Sequence, residues 1–127
     1  IIFSFVYITI HGTPGEDGIL QGYFDLLKIP YSTCNVHTSS LTFNKWFCNN
    51  FLSSFNIKMA KSIKISKGEI VNSSNIVAKL GLPVFIKPNA GGSSFGITKV
   101  KQESEIETAV EKAWAESNEA LLEQSFN

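Results

Sequence analysis

The sequence has little of what cross-linked or metal-bound proteins need. It contains only two cysteines, Cys34 and Cys48, and two histidines among its 127 residues. Two cysteines at this spacing form neither a metal site nor a disulfide framework, so we expect reduced thiols and a fold held by its hydrophobic core. Neither sign of charge is in excess, because 11 basic residues balance 11 acidic ones. This balance gives no electrostatic support for a nucleic-acid partner.

Long hydrophobic runs are also scarce. The apolar stretch IIFSFVYITI at residues 1–10 is too short to span a bilayer, and it lacks the basic start and cleavage site of a signal peptide. β-branched and aromatic residues dominate it, which favours a buried parallel strand over residues 2–10. Because the sequence opens inside this strand pattern and without methionine, we expect an internal piece of a longer protein.

A glycine-rich turn and a helix follow this predicted strand. The turn reads HGTPGEDG at residues 11–18, and the helix covers roughly residues 17–28 before Pro30 stops it. Strand, glycine turn and helix form half of a βαβ unit, whose other half we expect upstream.

The remainder of the chain predicts an α+β sandwich with helices on one side of a mainly antiparallel sheet. Ser39 or Ser40 caps the first of these helices, and a capping box of Ser104 and Glu107 opens the last. The expected elements are, in order, helix 39–55, a strand and turn within 60–70, helix 72–81, strand 84–87, strand 96–100, a helix from 104 and strand 120–123.

The loop between the two strands 84–87 and 96–100 is the first candidate for chemistry. It belongs to the stretch KPNAGGSSFG at residues 87–96. Glycines let backbone N–H groups approach an anion closely, and Lys87 adds a positive charge, so the loop suits a polyphosphate. It is not a Walker A loop, because the lysine precedes the glycines. A plain hairpin loop explains the composition equally well.

Three further residues carry weaker signals. Lys45 on a helix and Glu123 at the end of a strand are, taken singly, typical of solvated surface. His11 follows the first predicted strand, at the edge where open α/β sheets bind ligands, although a histidine bonded to loop backbone is an equally ordinary interpretation.

The order of these pieces resembles the D-alanine–D-alanine ligases, a branch of the ATP-grasp superfamily. HGTPGEDG, IPYS, SSLTFNK, LPVFIKPNAGGSSFGITKV and LLEQSF occur in the order that these ligases have, and the resemblance covers nearly the whole chain. HGxxGEDG and KPxxxGSSxG are its specific motifs. One departure is Asn44, where such ligases often have an aspartate before the lysine.

The resemblance implies a role for each matching residue. Lys45 and Lys87 would contact the ATP phosphates, and the loop from Gly91 to Gly96 would close over them. Ser93, His11 and Glu16 would order the site of the first D-alanine. The residues implied in nucleotide binding are Lys45, Lys87, Gly91, Gly92, Ser93, Ser94 and Gly96 for the phosphates, and Glu123, Gln124, Ser125 and Phe126 for adenine.

The resemblance also implies the domains and the reaction. Residues 1–35 would end a Rossmann-like N-terminal domain, and residues 36–127 would form the central ATP-grasp domain. A C-terminal domain carrying the Mg²⁺ carboxylates would follow residue 127, so we expect no metal ligands here and an inactive fragment. The parent would be a cytoplasmic homodimer that joins two D-alanines for peptidoglycan through an acyl phosphate, with no membrane or nucleic-acid partner.

Three alternatives stay open at this point. D-alanine–D-lactate and D-alanine–D-serine ligases share both motifs. Another ATP-grasp carboxylate–amine ligase would keep the phosphate loop but would not need HGxxGEDG. A degenerate nucleotide-binding remnant is the non-enzyme alternative.

Overall fold

A four-stranded antiparallel sheet organises the chain, and a computed structural model describes it over residues 4–126. The strands are β1 (Ser62–Ser66), β2 (Val84–Pro88), β3 (Thr98–Val100) and β4 (Glu119–Gln124). Their spatial order is β1-β4-β2-β3, so the last strand of the chain lies between the first two. The mixed α/β fold with an antiparallel sheet confirms the sequence prediction for this part of the chain.

Five α-helices accompany the sheet in the described residues. They are α1 (Ile19–Leu26), α2 (Val36–Phe43), α3 (Lys45–Ser53), α4 (Ser73–Leu80) and α5 (Ile106–Glu116), the last preceded by a 3₁₀ turn at Glu103–Glu105. Helix α4 lies where the sequence predicted it, with Asn72 as its N-cap and Gly81 at its end.

The hydrophobic core lies between α4, α5 and one face of the sheet. Val84 and Ile86 alternate along β2 and are fully buried, as the two-residue period of a strand requires. They share a cluster with Ile106 and Val110 of α5 and with Leu122 of β4. The opposite face of the sheet carries Phe85, Lys87 and Glu123, and Asn49 of α3 bonds to Glu123 there. The prediction of helices on one side is therefore right for α4 and α5 and wrong for α3.

The predicted helix over residues 39–55 was wrong, because the chain forms two helices there. Asn44 adopts an extended backbone (φ −86°, ψ 102°) and ends α2. Its side chain then caps α3 by accepting a hydrogen bond from the N–H of Phe47. An asparagine side chain competes with helical backbone bonding, and here the cap prevails over continuation of the helix.

The predicted capping box of Ser104 and Glu107 was also wrong. The box forms two residues earlier, between Gln102 and Glu105. The Glu105 carboxylate accepts from the N–H groups of Lys101 and Gln102, which lowers the pKa of this carboxyl.

The N-terminal segment differs most from the prediction. Residues 4–10 form no regular strand, and residues 2–3 of the predicted strand lie outside the described part. Val6 makes one parallel bridge to Tyr31, in which the N–H of Val6 donates to Pro30 and its carbonyl accepts from Ser32. Tyr7 is 76% exposed, and Phe5 and Ile10 are about half exposed, so this segment is not buried. A buried strand needs cover on both faces, and among the described residues only the segment around Tyr31 pairs with it.

Candidate functional site

The glycine-rich loop between β2 and β3 has an unusual backbone. Gly91, Ser93, Ser94 and Gly96 all have positive φ angles, of 153°, 55°, 61° and 71°. Gly96 also has little room for a side chain, since a Cβ there would lie 3.0 Å from Pro88 Cγ and 3.2 Å from the carbonyl oxygen of Lys112. Two serines in the left-handed region are costly without a fixed surrounding. The loop therefore adopts a specific shape and not that of a simple hairpin turn.

Lys45 is the first residue of α3, and its amine reaches this loop. The Nζ atom donates to the carbonyl oxygen of Gly91 at 3.0 Å and to that of Asn89 at 3.4 Å. Partial burial lowers the pKa of Lys45, and the nearby charge of Lys87 lowers it further, while Glu123 acts in the opposite direction. Lys45 and the neighbouring Lys87 thus form a positive site that an anion would stabilise.

Lys87 and Glu123 form an ion pair across neighbouring strands. Lys87 Nζ lies 2.5 Å from Glu123 Oε2, and both side chains are largely buried. The other carboxylate oxygen accepts from Asn49 Nδ2 of α3 at 2.8 Å. Both charged ends therefore point to the face of the sheet where Lys45 lies.

The two sequence motifs meet in space. Glu16 accepts a 2.6 Å hydrogen bond from the N–H of Gly12, within HGTPGEDG. A Cβ on Gly92 would lie 3.4 Å from Glu16 Oε2 and 3.6 Å from the nitrogen of Gly12, so the glycine-rich loop packs directly on the other motif. A cleft of about 250 Å³ opens between them, lined by His11, Gly12, Pro88, Gly91, Gly92, Ser93, Phe95 and Glu116. Of the predicted trio, His11 and Ser93 border this cleft. Glu16 lies beside His11, with 3.9 Å between His11 Nδ1 and Glu16 Oε1, but it lines a different cleft together with Lys45 and Gly91.

A second cleft lies on the other side of the loop. It has a volume of about 220 Å³, and its lining includes Lys45, Gly92, Ser93 and Ser94. The two clefts share Gly91, Gly92 and Ser93, and one of them reaches His11 while the other reaches Lys45.

The end of β4 holds the residues predicted to read adenine. The N–H of Gln124 donates to the carbonyl of Lys61, and the N–H of Ser125 donates to the carbonyl of Pro83. Phe126 is 73% exposed. These three residues follow Glu123 directly and lie beyond the Lys87–Glu123 pair, away from the glycine-rich loop.

Sequence reasoning missed Asn89, which is fully buried beside this site. Its side chain bonds to Asn44, Trp46 and Glu119. No period or motif marks this residue, because an asparagine after Lys-Pro is typical of an exposed turn. Asn44, where such ligases often have an aspartate, caps α3 and bonds Asn89.

Two kinds of feature are absent from the described part of the chain. Residues 4–126 hold no group of three histidine, cysteine, aspartate or glutamate side chains placed to bind a metal ion. None of the helices described there has the length and apolar character needed to cross a membrane.

Comparison with known proteins decides the family. A sequence model described as the D-ala D-ala ligase C-terminus matches residues 51–127, more than half of the chain. The chain belongs to the D-alanine–D-alanine ligase family. The match begins within α3, so it includes Lys87 and the glycine-rich loop but not His11, Glu16 or Lys45.

Curated relatives extend the likeness over nearly the whole chain. The D-alanine–D-alanine ligase of Phocaeicola vulgatus is 60% identical over 121 residues, which is 95% of this chain and 37% of that protein. The ligase of the same name from Parabacteroides distasonis is 57% identical over 122 residues, covering 96% of this chain and 37% of that protein. The chain therefore spans somewhat more than a third of the length of these relatives.

Solved structures agree with the fold. The VanG D-Ala:D-Ser ligase of Enterococcus faecalis superposes with a TM-score of 0.92 at 38% identity, over 100% of this chain and 37% of that one. The D-alanine–D-alanine ligase of Coxiella burnetii gives 0.91 at 27% identity, over 100% of this chain and 39% of that one. The antiparallel sheet, the helices and the glycine-rich loop thus form an arrangement that ligases of this family share.

Proposed function

We propose that this chain forms the phosphate-binding wall of an ATP-dependent ligase that joins two D-alanines. The observation that carries the proposal is the hydrogen bond from the Lys45 amine to the carbonyl of Gly91. This bond joins the first residue of α3 to the glycine-rich loop. Lys87 lies on the same face of the sheet, and its positive charge already affects Lys45. Two amines beside a glycine-rich backbone suit the triphosphate of ATP.

The roles of the other residues follow from the two clefts. Lys45, Gly91, Gly92 and Ser94, which line the cleft beside α3, would bind phosphate oxygens together with Lys87 and Gly96. Ser93 and His11, which line the cleft beside HGTPGEDG, would hold the first D-alanine with support from Glu16 next to His11. Glu123 and the backbone of Gln124, Ser125 and Phe126 would bind adenine at the end of β4.

The reaction has two steps that this wall can assist. The carboxylate of the first D-alanine attacks the γ-phosphorus of ATP, so that ADP leaves and an acyl phosphate forms. The amine of the second D-alanine then attacks the acyl carbon, and phosphate leaves with the C–O bond electrons. Lys45 and Lys87 would offset negative charge as it shifts between the phosphates, and the loop would shield the acyl phosphate from water.

Mg²⁺, which the family implies, does not fit the described residues. Among them, no group of carboxylates converges beside the lysines, and the nearby carboxylate of Glu123 is engaged by Lys87 and Asn49. We assign the metal no ligand in this part of the chain.

The wider assignments belong to the same proposal. Residues 1–35 would end a Rossmann-like domain, and residues 36–127 would form the central ATP-grasp domain. The parent protein would act as a cytoplasmic homodimer in peptidoglycan precursor synthesis. D-alanine is favoured as the second substrate because the relatives at 50–60% identity are D-alanine–D-alanine ligases. D-serine is the second candidate, because a D-Ala:D-Ser ligase structure matches at 38% identity.

Binding of MgATP to this chain tests the proposal. Titration calorimetry on the chain and on its Lys87→Ala variant should show binding that the variant loses. Lys79→Ala is the matched control, since Lys79 is exposed on α4 and should not affect binding. Equal binding by Lys87→Ala, or none by the unaltered chain, would refute the phosphate-site assignment. Phosphate release from MgATP, assayed with and without D-alanine, then tests whether the chain turns over alone.

A further inference from the structure

The first turn of α3 is fastened to the sheet by one buried residue. Asn89 follows β2 directly, and its carbonyl oxygen accepts a 3.0 Å hydrogen bond from the N–H of Lys45. Its side-chain Oδ1 accepts a 2.8 Å bond from the N–H of Trp46. A helix leaves its first N–H groups without partners inside the helix. Asn89 satisfies the first two of α3, although it is 44 residues distant from Lys45 in sequence.

The other side of Asn89 is tied to the sheet. Its Nδ2 donates to Glu119 Oε2 at 2.6 Å, and its backbone N–H donates to the Glu119 carbonyl at 2.8 Å. Glu119 is in turn paired with Lys64 of β1. The remaining Nδ2 proton is donated to Asn44 Oδ1 at 3.1 Å, the atom that caps α3. Both donors of the buried amide are therefore used, and so is its acceptor.

This bonding has a direct consequence for the two phosphate-site lysines. Lys87 lies two residues before Asn89 on β2, and Lys45 is the helical residue that Asn89 holds. Gly91, whose carbonyl receives the Lys45 amine, lies two residues after Asn89. The Asn89 side chain thus ties the N-terminus of α3 to Glu119 of β4 through Trp46 and Asn44, while its backbone carbonyl accepts from the N–H of Lys45.

We propose that Asn89 is the positioning residue that sets the Lys45 amine over the glycine-rich loop and so fixes its separation from Lys87. The inference rests on the proposed phosphate site for its functional meaning. The geometric claim, that Asn89 sets the position of the Lys45 amine, can be tested without ATP.

The first experiment compares Asn89→Ala with Asn50→Ala. Asn50 is an exposed residue of α3 whose amide bonds only within the helix, to the Trp46 carbonyl, so its removal does not detach the helix from the sheet. Both variants are labelled with ¹⁵N- and ¹³C-lysine, and the Lys45 side-chain signals are followed by NMR together with thermal unfolding. If Asn89→Ala does not fold, Asn89→Ser replaces it, since a hydroxyl cannot make all three bonds.

We expect the NMR signals and the pKa of Lys45 to change in Asn89→Ala, an effect that a loss of stability alone would not produce. In the unaltered chain and in Asn50→Ala, Lys45 should titrate below its ordinary pKa, held there by partial burial and by Lys87. Asn89→Ala keeps the backbone bond to the N–H of Lys45 but loses the side-chain bonds to Trp46 and Asn44, so the Lys45 amine should lose its bond to Gly91 and titrate closer to the ordinary value. Lys87 and Glu123, the charged groups that face Lys45, are unaltered in all of these variants. A folded, less stable Asn89→Ala with unchanged Lys45 signals would overturn the proposal.

The second test exchanges hydrogen-bond donors and acceptors between Asn89 and Glu119. Asn89→Asp should displace Lys45 less than alanine does, because a carboxylate still accepts from the N–H of Trp46 but cannot donate to Glu119 or Asn44. Adding Glu119→Gln to this variant supplies a donor toward the new carboxylate and should restore the Lys45 signals in part. If Glu119→Gln restores none of the Lys45 signals, this result contradicts the hydrogen bond described between Asn89 and Glu119.

MgATP affinity separates this inference from the proposed function. If the chain binds MgATP, Asn89→Ala should weaken binding by about tenfold, the loss of one charge-assisted contact, and Asn50→Ala should not. If the unaltered chain binds no MgATP, the proposed phosphate site fails, while the Lys45 signals still decide whether Asn89 positions that amine.

Discussion

The amine of Lys87 and the carboxylate of Glu123 lie 2.5 Å apart on neighbouring strands, although each was assigned to a different part of ATP. The pair joins the predicted phosphate end of the site to its predicted adenine end. Because both groups are largely buried, removing one partner leaves the other poorly solvated.

Glu123→Gln should therefore destabilise the chain. Lys87 would lose its counter-charge while keeping its position, and we expect a loss of about 2 kcal/mol in the free energy of unfolding. Urea denaturation measures it. Glu111→Gln, an exposed change on α5, is the control and should cost almost nothing. Equal midpoints for the two variants would show that the ion pair contributes no stability.

Gly96→Ala should be more harmful than Gly68→Ala. Both glycines have positive φ, which costs an alanine about 1 kcal/mol, but a Cβ at Gly68 meets no atom within 4 Å. At Gly96 it would press on Pro88 and Lys112, so we expect about 2–3 kcal/mol there. The difference between the two unfolding free energies isolates the steric part. No difference would mean that Pro88 and Lys112 shift freely to admit the new methyl group.

Asn44 should tolerate aspartate but not alanine. Its Oδ1 accepts from Phe47 and from Asn89, and an aspartate oxygen can do both while adding favourable charge at a helix N-terminus. Asn44→Ala should cost about 1–2 kcal/mol. Asn72→Ala is the matched control, because Asn72 caps α4 through one hydrogen bond only and should cost less. An Asn44→Asp variant less stable than Asn44→Ala would contradict this account of the cap.

The chain should lose stability in acid through Glu119. The hydrogen bond from Lys64 lowers the pKa of this carboxyl, and the bond from Asn89 adds to the effect. A carboxyl with a lowered pKa in the folded state stabilises the fold above its ordinary value of 4.5, and this contribution disappears as the pH falls through the lower folded value. Unfolding free energies measured from pH 7 to pH 3 should fall less steeply in Glu119→Gln than in the control Glu111→Gln. If the unfolding free energies of the two variants fall in parallel with pH, Glu119 is not the source of the acid sensitivity.

Much of the fold could be predicted from residue patterns because the responsible forces are local. Three signals depend only on neighbours a few residues away: the alternation of Val84 and Ile86, the cap at Asn72 and the glycine at the end of α4. The same holds for the loop after Lys87, whose glycines and serines indicate an unusual backbone. The order of elements beyond residue 60 followed from these signals.

The errors occurred where distant residues compete with local preference. Periodicity favoured one helix through Asn44, but a buried partner 45 positions away, Asn89, supports the break. The apolar segment before His11 has the composition of a buried strand, yet only the stretch near Tyr31 pairs with it among the described residues.

The sequence by itself determined which residues could carry charge and flexible backbone: two lysines, a glycine-rich loop and the motif HGTPGEDG. Only the tertiary structure decided that Lys45 reaches Gly91, that Lys87 pairs with Glu123 and that Glu16 lies beside Gly92. Residue patterns extend over a few turns of helix or strand, whereas these contacts depend on sheet order and on buried hydrogen bonds between segments far apart in the chain.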